Sequence, residues 1–178
     1  MGRPAAIGCL LAAVALLSRV TRGGEAPRDV SSVFFIAKSE NKNQVHYGIH
    51  LDAGCAPNGT APMFAYWRML ERGPFTTEPL LATEAPAYGF SGQRVVAHDA
   101  AGGSIRVVLR ALPERPILVT SSARGGACIA NVTMTIAGVP AWLTSVFVQL
   151  RWPFGVDHLV LWGHALEGGR PLRENVAP

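Results

Sequence analysis

Among the five histidines, His46 and His50 come nearest to a metal-ligand spacing, since an i, i+4 pair on a helix faces a single ion. They lie, however, in Gln44–Leu51, where Val45, Tyr47, Ile49 and Leu51 alternate with Gln44, His46, Gly48 and His50. That period of two is a strand with one apolar face. Four residues at strand rise set the two imidazoles roughly 13 Å apart, too far for one ion without a bend at Gly48. Both read as solvent-face residues. Asp157 and His158 are consecutive and leave opposite faces of a strand. The string Gly89-Phe90-Ser91-Gly92 lacks the spacing and the strand–turn–helix context of a nucleophile elbow. Glu71, Glu78 and Glu84 cluster in an irregular segment, whose ordinary reading is a solvated loop. The glycine pairs 102–103, 125–126 and 168–169 stand between strands, as turn glycines and not phosphate cradles. No catalytic set, metal centre or cofactor motif is read from the residues, and the chemistry left is binding. Lys38, Trp67, Glu84 and Tyr88 are the ligand-binding candidates, and Lys38, Glu84 and Tyr88 would come together if the irregular segment from Glu71 to Ala87 folds over a barrel mouth near the first hairpin.

The elements that would position these residues are strands. Thirteen prolines and nineteen glycines divide short apolar runs, which favours β over α structure. Val33–Ser39 and Gln44–Leu51 form a hairpin around Glu40-Asn41-Lys42-Asn43. In that turn Ser39, Asn41 and Asn43 read as structural, because short polar side chains bond their own backbone and accept left-handed φ. Met63–Leu70 is a third strand, and Thr77–Thr83 reads as a helical turn or short helix with Pro79 in its first turn. Beyond it, runs at 94–98, 104–112, 117–121, 127–137, 142–152 and 156–166 are joined by short turns, which make antiparallel neighbours. A last segment near 169–176 adds an edge strand. The expectation is an all-β antiparallel meander of about eight to ten strands. Its edges would be managed by closure into a barrel or near-barrel, with a two-sheet sandwich as the alternative. Trp67, Trp142, Trp152, Trp162, Phe147, Met63, Met69 and Met134 would then line an interior that either fills itself or holds an apolar ligand.

The N-terminus has the plan of a secretory signal: Arg3, an apolar run from Ala5 to Leu17, then a polar exit. Cleavage is expected after Gly23, with Ala26 as the later possibility. Residues 24–32 form a polar lead, and 33–176 a single domain. Three arginines, Arg3, Arg19 and Arg22, fall in the removed segment, so the formal charge of +4 becomes +1. The basic character is thus mostly a targeting feature, and a nucleic-acid partner is not expected. Nor is an integral membrane segment after cleavage. Cys55 and Cys128 remain, and two cysteines in an exported chain are expected to pair. Asn58-Gly59-Thr60 and Asn131-Val132-Thr133 match the glycosylation pattern, but the Ala, Gly, Arg and Pro bias points to a bacterial source and a periplasmic or extracellular site.

The string Phe34-Phe35-Ile36-Ala37-Lys38-Ser39-Glu40-Asn41-Lys42-Asn43-Gln44-Val45-His46-Tyr47 resembles the start of an uncharacterised, mostly bacterial family known only as a domain of unknown function. The likeness continues at Tyr66-Trp67 with Met69 and at Glu84 followed by Ala87-Tyr88-Gly89. More loosely it reaches from Gly163 to Glu174. The resemblance implies no reaction, cofactor or partner. What remains are an exported domain binding a small apolar ligand, a structural or interaction domain whose partner is an envelope protein, and an enzyme of unidentified class using Lys38, Glu84 and Tyr88.

Overall fold

A computed structural model describes residues 30–99, 102–151 and 155–177. The signal segment, most of the polar lead and Trp152 lie outside the described residues. Eleven strands and one four-residue helix follow in order: β1 (Val30–Lys38), β2 (Gln44–Ile49), β3 (Met63–Arg68), β4 (Thr77–Pro79), α1 (Ala85–Tyr88), β5 (Phe90–Asp99), β6 (Gly102–Leu109), β7 (Ile117–Arg124), β8 (Ala127–Ile136), β9 (Val139–Arg151), β10 (Gly155–Ala165) and β11 (Pro171–Val176). Among the described residues no helix is long and apolar enough to cross a membrane.

Two antiparallel meanders make up the sheet. β1 to β4 form one, and β5 to β11 form the other. They join where β1 runs parallel to β9, with Phe35 opposite Ser145 and Lys38 opposite Val148. β9 serves three neighbours. β10 follows it from Ala141 to Arg151, while on the other edge β8 takes the stretch Val139–Trp142 and β1 takes Ser145–Val148. The result is one mixed, eleven-stranded sheet whose ends are β4, β5 and β11.

This corrects the expected barrel: the sheet does not close. It also corrects the wholly antiparallel order, because short connections fix only the strands they join, and β1 and β9 are remote in sequence. The segment expected to turn helical at Thr77–Thr83 instead begins as edge strand β4, since Thr77, Glu78 and Pro79 pair with Arg68, Trp67 and Tyr66. The helix comes later, at Ala85–Tyr88, with Pro86 in its first turn, where its missing N–H costs nothing.

A single core lies between the arms. Phe34, Ile36, Val45, Tyr47 and Ile49 from the first meander meet Ile105, Val107, Ile117, Val119 and Leu161 from the second. Tyr47 is the joint. Its ring stacks on Phe34 at 4.4 Å and meets the edge of Phe90 at 5.6 Å, and its hydroxyl donates to the Tyr88 carbonyl at 2.7 Å. Cys55, in the loop after β2, is bonded to Cys128 on β8, with Cα atoms 5.3 Å apart.

The expected apolar lining is only partly inside. Met63, Trp67 and Met134 are buried, but Trp142 and Trp162 are 41% and 43% exposed. Strand alternation explains the difference. Ala141, Leu143, Val146 and Val148 take the core side of β9, so Trp142 faces outward.

Candidate functional site

The core-side row Ile36, Val45, Trp67 and Glu78 crosses β1 to β4 by direct pairing. One position beyond it β2, β3 and β4 end, two beyond it β1 ends, and the inner face continues as a cleft of about 290 Å³. Lys38, Asn41 and Asn43 line it from the first hairpin, Trp67 and Met69 from β3 and its exit, and Glu78, Pro79, Leu81 and Glu84 from the segment before α1. The volume lies near the lower end for small-molecule sites.

Trp67 is the floor, only 6% exposed. Its indole Nε1–H donates to Glu84 Oε2 at 2.8 Å, and the Tyr88 ring meets it edge-on at 5.3 Å. The same carboxylate oxygen accepts the Leu81 backbone N–H at 2.9 Å. The Leu81–Glu84 turn is closed by the Glu84 N–H on the Leu81 carbonyl at 3.0 Å. Glu84 Oε2 thus accepts from two neutral donors, the Trp67 indole and the Leu81 backbone. Lys38 Nζ sits 5.0 Å from the centroid of the Trp67 ring and 3.6 Å from Glu40. An ammonium over an indole face is an attractive arrangement that gains strength as water is excluded. Tyr88 stands behind Trp67, 7% exposed, and does not line the cleft. Burial, followed by the charges of Glu40 and Glu84, pushes its phenol up to about 12.

Three turn residues hold the rim, each by a different bond. Asn41 Oδ1 accepts the Asn43 N–H at 3.0 Å, an Asx turn. Asn43, 6% exposed, accepts the Glu71 N–H at 3.2 Å and donates to the Glu71 carboxylate at 3.4 Å, tying the hairpin to the loop after β3. Ser39 works outside its own hairpin: its N–H donates to the Val148 carbonyl at 3.1 Å, and its Oγ accepts from the Leu150 N–H at 3.2 Å, which prolongs the β1–β9 pairing.

The structure thus brings Lys38, Trp67 and Glu84 together, with Tyr88 as backing. The sequence reading named Asn41 and Asn43 only as turn residues. It had Met69 as part of an apolar interior and Glu78 as a solvated loop residue, and it missed Pro79 and Leu81; the place of the last three follows from β4 pairing with β3, and a three-residue strand leaves almost no periodic signal.

His46 corrects its expected place on the solvent face, being 5% exposed. The cover is lateral. Phe35 and Tyr66, its cross-strand neighbours, lie against the imidazole with centroids at 5.5 and 5.8 Å. Nδ1 is 2.7 Å from Ser32 Oγ and Nε2 is 3.0 Å from Gln44 Oε1. The consistent arrangement has the serine hydroxyl donating to Nδ1 and Nε2–H donating to the amide oxygen. Burial and then the Arg68 charge lower its pKa, favouring this neutral form. A hydroxyl on a neutral imidazole resembles a nucleophile–base pair, but here both ring nitrogens are satisfied and the chain Ser32–His46–Gln44 clasps β1 to β2. His50, by contrast, is exposed and stacks on Phe64 at 4.4 Å.

Comparison with protein-family models matches residues 34–175 to the domain of unknown function DUF4833. Comparisons with curated proteins and with solved structures returned no match. The chain belongs to the DUF4833 family.

Proposed function

We propose that this DUF4833 protein is an exported, non-catalytic binding domain, and that the cleft at the end of the first hairpin takes a small amphiphile with an apolar body and a cationic head. The carrying observation is the Lys38–Trp67–Glu84 arrangement. The indole face already accepts an ammonium, and the neighbouring carboxylate accepts from the neutral Trp67 indole and Leu81 backbone N–H groups. Met69, Pro79 and Leu81 give the apolar wall for the body of such a ligand. Lys38 occupies the cation position, so a ligand ammonium replaces it over Trp67 while the lysine swings toward Glu40 and solvent. Export rests on the signal-like N-terminus together with the Cys55–Cys128 disulfide, a bond that persists in oxidising compartments.

Hexylammonium, hexanol and hexanoate test the assignment by calorimetry. Hexylammonium is expected to bind most tightly. Glu84→Gln should weaken it by about tenfold, the lower range for losing a hydrogen bond to a charged group, and Lys38→Met should tighten it by vacating the indole face. Equal affinity for the three probes, or no binding of any, overturns the reading.

A second reading, an interaction domain for an envelope protein, is favoured by one observation. Phe75 and Leu81, on either side of edge strand β4, are 90% and 60% exposed. Phe75→Ser/Leu81→Ser would abolish capture of such a partner, while hexylammonium affinity responding to Glu84→Gln supports the cleft.

A further inference from the structure

The outer face of the second meander carries a feature independent of the cleft. Direct pairing places Arg94, Arg106, Leu118, Thr133, Trp142 and His164 in one row across β5 to β10. Partners on the core side of the same strands, such as Ile105, Val119 and Leu143, are buried, so this row faces outward. Trp142 and Trp162 stand on the adjoining strands β9 and β10, with the bulge between Trp162 and Gly163 separating their register positions. Arg173 pairs with Trp162 across β10–β11 and lays its guanidinium 5.1 Å from the indole centroid.

Charge on this face is mainly positive, with Asp99, opposite Gly102 at the far end of β5, and Arg124, at the far end of β7, lying beyond the row and its flanks. The row above and its flanking positions Ser104, Thr120, Asn131, Trp162 and Arg173 contain three arginines and no carboxylate. Glu174, next to Arg173, belongs to the other side, where it takes a two-bond fork from Arg115 at 2.7 Å. Between the arginines and the indoles lie hydroxyl and amide side chains, Thr120, Asn131 and Thr133. Flat, half-exposed indoles suit the C–H faces of pyranose rings, hydroxyls and amides suit their OH groups, and planar guanidinium forks suit carboxylates. We propose that this face binds an acidic polysaccharide, a uronic-acid polymer lying across the strands, with sugar rings on Trp142 and Trp162 and carboxylates toward Arg94, Arg106 and Arg173. Charge complementarity selects an anionic occupant. The indoles and hydroxyls select a sugar polymer over other polyanions, whose recognition asks for denser positive charge than three arginines supply.

Affinity electrophoresis of the full chain through gels containing alginate, dextran, polyglutamate or duplex DNA, with flotation on phosphatidylglycerol vesicles, tests this. Alginate should retard the protein, and dextran, polyglutamate, DNA and vesicles should not hold it comparably. Trp142→Ala/Trp162→Ala should weaken alginate binding by about tenfold or more. Arg94→Ser/Arg106→Ser should both weaken it and flatten its salt dependence. All four positions are exposed, so circular dichroism of the variants should match the parent, and their hexylammonium affinity should be unchanged. No retardation by alginate, equal retention by polyglutamate, DNA or vesicles, or variants that migrate like the parent would each overturn the proposal.

Discussion

At the scale of single residues, what was legible in the sequence was residue type and strand face; what was not was lateral cover. Val45, Tyr47, Ile49 and Leu51 were assigned to the core by alternation and are all fully buried. His46, on the opposite face, was assigned to solvent by the same rule, yet the rings on the two adjacent strands enclose it. Alternation speaks of faces, and cross-strand neighbours are invisible until register is known. The burial of His46 has a pH consequence. Its folded pKa lies below its ordinary value, so below about pH 6.5 the unfolded chain binds more protons than the folded one. Stability contributed by this residue is complete above that pH and declines as pH falls toward the folded pKa. Urea unfolding at pH 7.5 and 5.5 should show the parent losing more stability on acidification than His46→Gln. Equal losses would place the pH dependence elsewhere.

The elements were largely legible, because most strands carry alternation and are separated by turn residues. β4 was not, being too short for any period. The parallel β1–β9 pairing was not, since no local signal reports contact between segments so far apart in the chain. The turn between β8 and β9 was expected at 138–141, one position late at its start and three at its end. Ala137 and Gly138, both at positive φ (51° and 76°), make the two-residue turn, and Pro140 already sits in β9 opposite Thr135. Alanine in that conformation costs about 1 kcal/mol or more relative to glycine. Its N–H is nevertheless held by Glu174 Oε2 at 2.7 Å, a bond glycine keeps. Ala137→Gly should therefore raise stability by roughly 0.5–1 kcal/mol in urea unfolding. Gly163 behaves oppositely. A Cβ there would stand 2.2 Å from the Trp142 carbonyl oxygen and 2.6 Å from Ile136 Cδ1. Gly163→Ala should force β10 off β9 and destabilise by roughly 1–3 kcal/mol, the range for overpacking; a neutral result would mean that the bulge between Trp162 and Gly163 can open at no cost.

For the whole molecule, composition and turn density led to the all-β class, and export logic led to the disulfide. Closure was the inference that failed. A long meander must hide its edges, but a barrel is one solution of several. Here the arms fold over a common core, pinned by Tyr47 and by the bond between Cys55 and Cys128, which spans 73 residues. Cross-linking a loop of that length removes roughly 4 kcal/mol of unfolded-state entropy on the chain model. Cys55→Ala/Cys128→Ala should lose stability of that order in urea, with far-ultraviolet circular dichroism retained under native conditions.

The cleft is built where the first hairpin, the β3–β4 loop and the turn before α1 meet, and its floor is Trp67. The measurement that bears on it most directly is the indole ¹H–¹⁵N resonance of Trp67 in the tryptophan-labelled protein, followed during titration with hexylammonium. Saturable movement of that resonance, with those of Trp142 and Trp162 stationary and the midpoint moved to about tenfold higher hexylammonium in Glu84→Gln, is the expected result. A Trp67 resonance that does not move, or one that moves only in step with Trp142 and Trp162, would contradict the assignment of this cleft as a binding site.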